Sequence, residues 1–128
     1  MILAIKTAES VAEIYLLAAR SGLIIEKEKK WNAGRELARD LLGEVEKLVG
    51  DFANLTGVIV FRGPGSFTGL RIGITTANAI AYAQEIPIIG ANGDDWLADG
   101  LEKLSNEEDD KIVLPKYGAS PRITTPKK

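Results

Sequence analysis

The residues that invite a chemical reading are Gly63-Pro64-Gly65-Ser66-Phe67-Thr68-Gly69-Leu70-Arg71-Ile72-Gly73. They follow a short apolar, β-branched run, Val58-Ile59-Val60-Phe61, and lead into a long uncharged segment. A strand that turns through glycines into a helix is a common place for ligand or partner contacts in α/β proteins. Ser66 and Thr68 stand where the first amides of that helix lack partners. An anion could rest on those amides, but the same hydroxyls suit simple capping better. Each established template fails on spacing, however. A Walker A counted from Gly63 requires Gly where Thr68 stands and a Lys after it. A dinucleotide fingerprint fits Gly63 and Gly65, but its third Gly comes one residue late, at Gly69. A nucleophile elbow around Ser66 would need Gly where Pro64 and Thr68 stand.

Composition restricts the chemistry further. The chain has 128 residues with no histidine and no cysteine. Ser-His-Asp and Cys-His catalysis, thiol redox work and zinc sites of nitrogen and sulfur ligands are therefore excluded. Disulfides are excluded too, which suits a cytoplasmic protein. No run approaches the length of a membrane span, and Met1-Ile2-Leu3-Ala4-Ile5 lacks a basic leader. The net charge of −2 gives no overall basic footprint for nucleic acid. Locally, the acidic run Glu107-Glu108-Asp109-Asp110 is followed only by positive charges: Lys111, Lys116, Arg122, Lys127 and Lys128. That end reads either as a solvated loop with a polar tail or as a weak contact for RNA or a partner's acidic patch.

The elements that must position the glycine loop are legible in outline. Ile2 to Lys6 reads as a strand. Glu13 to Ala19 and Leu23 to Lys29 read as two more, joined at Arg20-Ser21-Gly22 into a hairpin. Leu37, Leu41, Val45 and Leu48 recur at helical spacing among charged residues, predicting an amphipathic helix of about four turns ending near Gly50. Thr56 to Phe61 is the next strand, Leu70 to Gln84 the next helix, and Pro87-Ile88-Ile89 a short buried strand. Asp94 to Leu104 is a further helix, with Trp96, Leu97 and Leu101 apolar and Asp94 and Asp95 favouring its start. Ile112-Val113-Leu114 is a last strand or an extended tail, and Pro115, Pro121 and Pro126 oppose regular structure beyond it. Three antiparallel strands followed by helix-strand-helix-strand-helix is the order of a ribonuclease-H-like α/β domain, the unit that forms one lobe of actin-like ATPases. The expected architecture is a mixed five-stranded sheet with helices on both faces.

The helix after the loop carries no charge over the thirteen residues from Ile72 to Gln84. At 100° per residue, Leu70, Ile74, Ala77 and Ala81 share one face, and Ile72, Thr75, Thr76, Ala79 and Ala83 the opposite one. A helix covering one side of a sheet needs one apolar face only. Its back is then either buried within this chain or the place where another protein's helix packs.

The run from Gly63 to Gly73 resembles the signature of the TsaB (YeaZ) family, the partner protein of bacterial tRNA threonylcarbamoylation. Ile2-Leu3-Ala4-Ile5 with Thr7 is similar to that family's first strand, Trp31 to Leu48 to its first helix, and Ile86-Pro87-Ile88-Ile89-Gly90 to its next strand. The resemblance covers about residues 1–104. It implies an actin-like fold without catalytic residues, cofactor or metal, paired with a homologous catalytic subunit, TsaD, and with the small ATPase TsaE. That complex transfers threonylcarbamoyl from its adenylate to the adenosine beside the anticodon of ANN-decoding tRNAs, so tRNA would be met only indirectly. Carried over by position, the partner-binding residues would be Gly63, Gly65, Phe67, Thr68, Arg71, Ile72, Thr75, Thr76, Ala79 and Ala83. The Leu37 to Leu48 helix would lie alongside, and the same surface would serve a homodimer where the partner is absent. The rival expectation is a small phosphate- or nucleotide-binding protein that uses the glycine loop.

Two departures from the family pattern stand out. Lys6 occupies the place of an acidic residue in the first strand's phosphate motif, which argues against metal-nucleotide chemistry. Glu107 also leads directly into Pro115-Lys116-Tyr117 and Pro121, which resembles the family's C-terminal tail. The expected organisation is a single lobe over 1–104 and an acidic linker with a Pro-rich basic tail over 105–128, the second lobe being left out.

Overall fold

The computed structural model describes residues 1–18 and 22–116. Five strands form one sheet: β1 (Ile2–Lys6), β2 (Val11–Leu17), β3 (Ile25–Asn32), β4 (Gly57–Phe61) and β5 (Ile88–Ala91). Their order is β3-β2-β1-β4-β5. The first three pair antiparallel as a meander, while β1, β4 and β5 run parallel. Parallel strands need crossovers, which are supplied by α1 (Leu37–Val49) and α2 (Phe67–Gln84); α3 (Trp96–Ser105) follows β5. This is the mixed ribonuclease-H-like sheet that the element order predicts, here with helices on both faces.

Side-chain parity sorts the two faces. Ala4, Tyr15 and Ile59 are register partners on one face, and Trp96 of α3 meets Tyr15 and Phe61 edge-on there at 6.0 and 5.8 Å. Leu3, Ile5, Val58 and Val60 point the other way, toward α1 and α2. β4 is buried along its whole length, as a strand covered on both faces must be. β3, at the sheet edge, alternates Glu and Lys over residues 26–29 and adds Lys30, a pattern that discourages edge-to-edge pairing.

α1 buries Leu37, Leu41, Val45 and Val49 and stops at Gly50, whose φ of +78° is easy only without a Cβ. Lys29 of β3 reaches across to Glu44 of α1 at 2.6 Å. That hydrogen bond holds the Glu44 carboxyl below its ordinary value of about 4.5. A lowered folded value stabilises above the unfolded one, and the contribution disappears as pH falls through the folded value. Glu44→Gln is therefore expected to lower the melting temperature slightly at pH 7, with the difference from the unaltered chain vanishing by about pH 3. Melting curves at the two pH values check this. On β2 the Tyr15 phenol is pushed up, first by burial and then by its hydrogen bond to Glu13.

Several boundaries differ from the sequence expectation. The hairpin strands are displaced, to Val11–Leu17 and Ile25–Asn32, because Ser10 already leads into paired backbone and the charged residues of β3 belong to the ladder. The end of the expected strand at Ala19 and the turn residues Arg20 and Ser21 lie outside the described residues. Trp31, expected in the first helix, sits in β3 opposite Ala12, and the helix begins only after a turn of 3-10 helix at Gly34–Glu36. α2 starts at Phe67 rather than Leu70, because Ser66 is the residue that caps it. α3 runs one to two residues later than expected, and β5 extends to Ala91.

Ile112-Val113-Leu114 is extended without joining the sheet. The segment from Asp109 to Lys116 forms a strap. The Asp109 and Asp110 carboxylates accept the amides of Ile88 and Gly90 on the open edge of β5, and the Asp110 amide donates to the Ile88 carbonyl. Val113 is buried, and its backbone makes two hydrogen bonds with the Asn78 side chain of α2, at 3.0 and 2.9 Å. Arg62 then binds the Leu114 carbonyl, and the Lys116 amide donates to the Arg62 carbonyl. Half of the acidic run is thus bonded to backbone. Tyr117, Pro121, Arg122, Pro126, Lys127 and Lys128 lie outside the described residues.

Candidate functional site

The glycine loop is organised by the turn after β1. Thr7 is 1% exposed, and its hydroxyl donates to the Gly69 carbonyl at 2.7 Å. The Ser66 amide donates to the Ala8 carbonyl at 2.8 Å, and the Ser66 hydroxyl caps α2 by accepting the Gly69 amide. Gly65, Gly69 and Gly73, four residues apart, all face this turn. A Cβ on Gly65 would lie 2.9 Å from Ala8 Cα, one on Gly69 would overlap the Thr7 carbonyl oxygen, and one on Gly73 would overlap the Thr7 hydroxyl. These glycines let the helix backbone rest directly on Thr7-Ala8. The polar groups in question are turned inward, to neighbouring backbone.

Gly63 belongs to a different contact. Its φ is +131°, its carbonyl accepts from the Asn92 side chain at 2.6 Å, and a Cβ there would overlap the Lys116 carbonyl oxygen. The ten residues expected at the partner surface therefore divide. Gly63 and Gly65 shape the loop from within. Thr68, Arg71, Ile72, Thr75 and Thr76 line, with Ala38 of α1, one open groove of about 370 Å³. Ala79 and Ala83 continue the exposed strip over the next two turns, while Phe67 lies under the Arg71 guanidinium, 5.4 Å from its centroid.

α2 buries Leu70, Gly73, Ile74, Ala77, Ile80 and Ala81. On its opposite side Ile72 is half-buried against the core and Thr76 is partly covered, while Thr75, Ala79 and Ala83 are exposed among the described residues. Sequence reasoning missed Tyr82, which is 88% exposed on the same helix, and Leu42 on α1, which is 48% exposed. An aromatic in an alanine-rich helix was the available signal for Tyr82. Thr7 was noted only as part of a strand, and its role emerges from the helix laid across it.

Lys6 ends β1 with its ammonium over the Phe61 ring, 4.6 Å from the centroid. Among the described residues no group of three or more Asp or Glu could hold a metal ion, and no helix is long and apolar enough to cross a membrane.

The arrangement has known counterparts. The family model described as TsaD, tRNA N6-adenosine threonylcarbamoyltransferase, matches residues 32–112. Over 66 residues the chain is 34% identical to the tRNA threonylcarbamoyladenosine biosynthesis protein TsaB of Bacillus subtilis, a stretch covering 52% of this chain and 27% of that protein. Over 42 residues it is 48% identical to the tRNA N6-adenosine threonylcarbamoyltransferase of Halalkalibacterium halodurans, covering 33% of this chain and 12% of that one. The structure of YeaZ from Pseudomonas aeruginosa superposes with a TM-score of 0.63 at 25% identity, over 71% of this chain and 43% of YeaZ. The matched stretches thus span less than half of each of these relatives.

Proposed function

The chain belongs to the tRNA N6-adenosine threonylcarbamoyltransferase family, on its TsaB (YeaZ) side, and from that premise we propose that it is a non-catalytic scaffold for tRNA threonylcarbamoylation. Its partner is a TsaD-like catalytic subunit, which it holds in an active arrangement, with a TsaE-like ATPase completing the complex and tRNA met only through the partner. The observation that carries this reading is the exposed strip of α2, where Thr75, Ala79 and Ala83 offer small, uncharged side chains beside the half-buried Ile72. Such a ridge allows a homologous helix to approach closely, and the groove against Ala38 gives it a flank. An unpaired helix face of this kind is what a helix-to-helix subunit contact requires. Where the partner is absent, a second copy can occupy the same face.

The phosphate-binding alternative has less support, because the Ser66 and Gly69 amides at the loop are taken by Ala8 and by the Ser66 hydroxyl. Sedimentation of the chain mixed with its cognate TsaD-like protein tests the scaffold. A faster-moving 1:1 complex at micromolar concentration is expected. Separate migration of the two at that concentration would sink the reading.

A further inference from the structure

The strap from Asp109 to Lys116 is not accounted for by a contact on α2. It runs antiparallel to that helix, from the edge of β5, past Asn78, to the Gly63 loop. Its anchors are specific to its own sequence. Two consecutive carboxylates meet two edge amides of β5, and three residues after Asp110 a branched apolar side chain sits against Gly90. A Cβ on Gly90 would lie 2.8 Å from Val113 Cγ1, so this glycine is the floor of the strap's channel. Yet Val113 is the strap's one buried side chain among the described residues, with hydrogen bonds to backbone and to Asn78 supplying the rest. Segments held in this way open at low free-energy cost.

One feature favours release. Glu107, a non-glycine residue just ahead of the anchored carboxylates, is held at φ of +64°. That conformation crowds a Cβ and stores strain that an extended hinge would relieve. On the outer side of the docked strap, the apolar Ile112 and Leu114 are 68% and 66% exposed among the described residues.

We propose that two copies of this chain exchange straps, each strap seating in the other copy's channel along β5 and α2. The occupant is a second copy because its strap reproduces every anchor already seen, at the same register. Closed and exchanged forms make the same channel contacts, so the balance is set by hinge strain and by concentration.

The chain has no cysteine, which permits a direct test. Gly90→Cys places a thiol on the channel floor and crowds its own Val113; Val113→Cys places one on the strap. Equal amounts of the two single variants, mixed in a thiol-disulfide buffer, are expected to form a disulfide-linked heterodimer on a non-reducing gel. A chain carrying both substitutions supplies the control, since its thiols can join within one copy. If the double variant closes within single copies and the mixture does not cross-link, exchange is overturned. Sedimentation of the chain without added thiols gives a second reading. Glu107→Gly removes the hinge strain and is expected to lower the dimer fraction about fivefold. An unchanged dimer fraction, or no dimer up to about millimolar concentration, overturns the proposal as well. A dimer formed through α2 would show the opposite pattern, broken by Ala79→Glu and untouched by Glu107→Gly.

Discussion

Gly73→Ala is expected to lower stability by about 2–3 kcal/mol, and Thr7→Ala in the same chain to recover part of that loss. The reason lies in what each missing Cβ would meet. At Gly73 the obstacle is the Thr7 side chain: its hydroxyl overlaps the new methyl and its Cγ2 lies 3.1 Å away. Removing those atoms leaves only a tight contact with the Thr7 Cβ, at 3.2 Å. On its own, Thr7→Ala forfeits a buried hydrogen bond to the Gly69 carbonyl, a loss of about 1 kcal/mol. The two substitutions together should therefore cost less than their sum, by about 1–2 kcal/mol. Gly69 provides the contrast. Its Cβ would strike the Thr7 carbonyl oxygen, which no side-chain truncation moves. Gly69→Ala is expected to cost about 3 kcal/mol and to gain nothing from Thr7→Ala. Urea denaturation of the three single and two double variants measures both cycles. An additive cycle for Gly73 with Thr7 would refute the packing account of the glycine row.

The second large effect concerns binding. Ala79→Glu sets a carboxylate in the middle of the exposed strip of α2, where the ridge is otherwise uncharged from Ile72 to Gln84. Burying that charge without a partner should weaken a complex with a TsaD-like subunit by about 100-fold or more, close to 3 kcal/mol. Because Ala79 is exposed in the free chain, the melting temperature should not move. Thermal melts and a binding titration on the same preparation separate the two quantities. Undiminished affinity would mean that the partner sits on another face.

The strand and helix order was readable because each element announced itself by a simple pattern. Leu37, Leu41 and Val45 mark the buried stripe of α1, and the unbroken apolar run of β4 marks a strand covered on both sides. Hairpin boundaries were less legible. In β3 the alternation is between Glu and Lys, so no hydrophobic period shows where the ladder begins, and Trp31 reads as readily at a helix start. The glycine loop was recognisable as constrained, and its spacing departs from the phosphate templates. Its actual constraint could not be read, since it involves Thr7 and Ala8, some sixty residues earlier in the chain. The strap was hidden for a related reason. Asp109 and Asp110 look like solvated acids until β5 is seen to present them with unpaired edge amides.

The row of glycines beneath α2 has a kinetic consequence. Over its first two turns α2 rests through Gly69 and Gly73 on the buried Thr7-Ala8 turn, which leaves that end of the helix little room to slide or roll. Its outer ridge is therefore presented in one fixed attitude. A partner landing there meets a surface that is already set, with little ordering left to accomplish after contact. Association should proceed in a single step at rates limited by collision and orientation, and differences among ridge variants should appear mainly in how long the complex lasts.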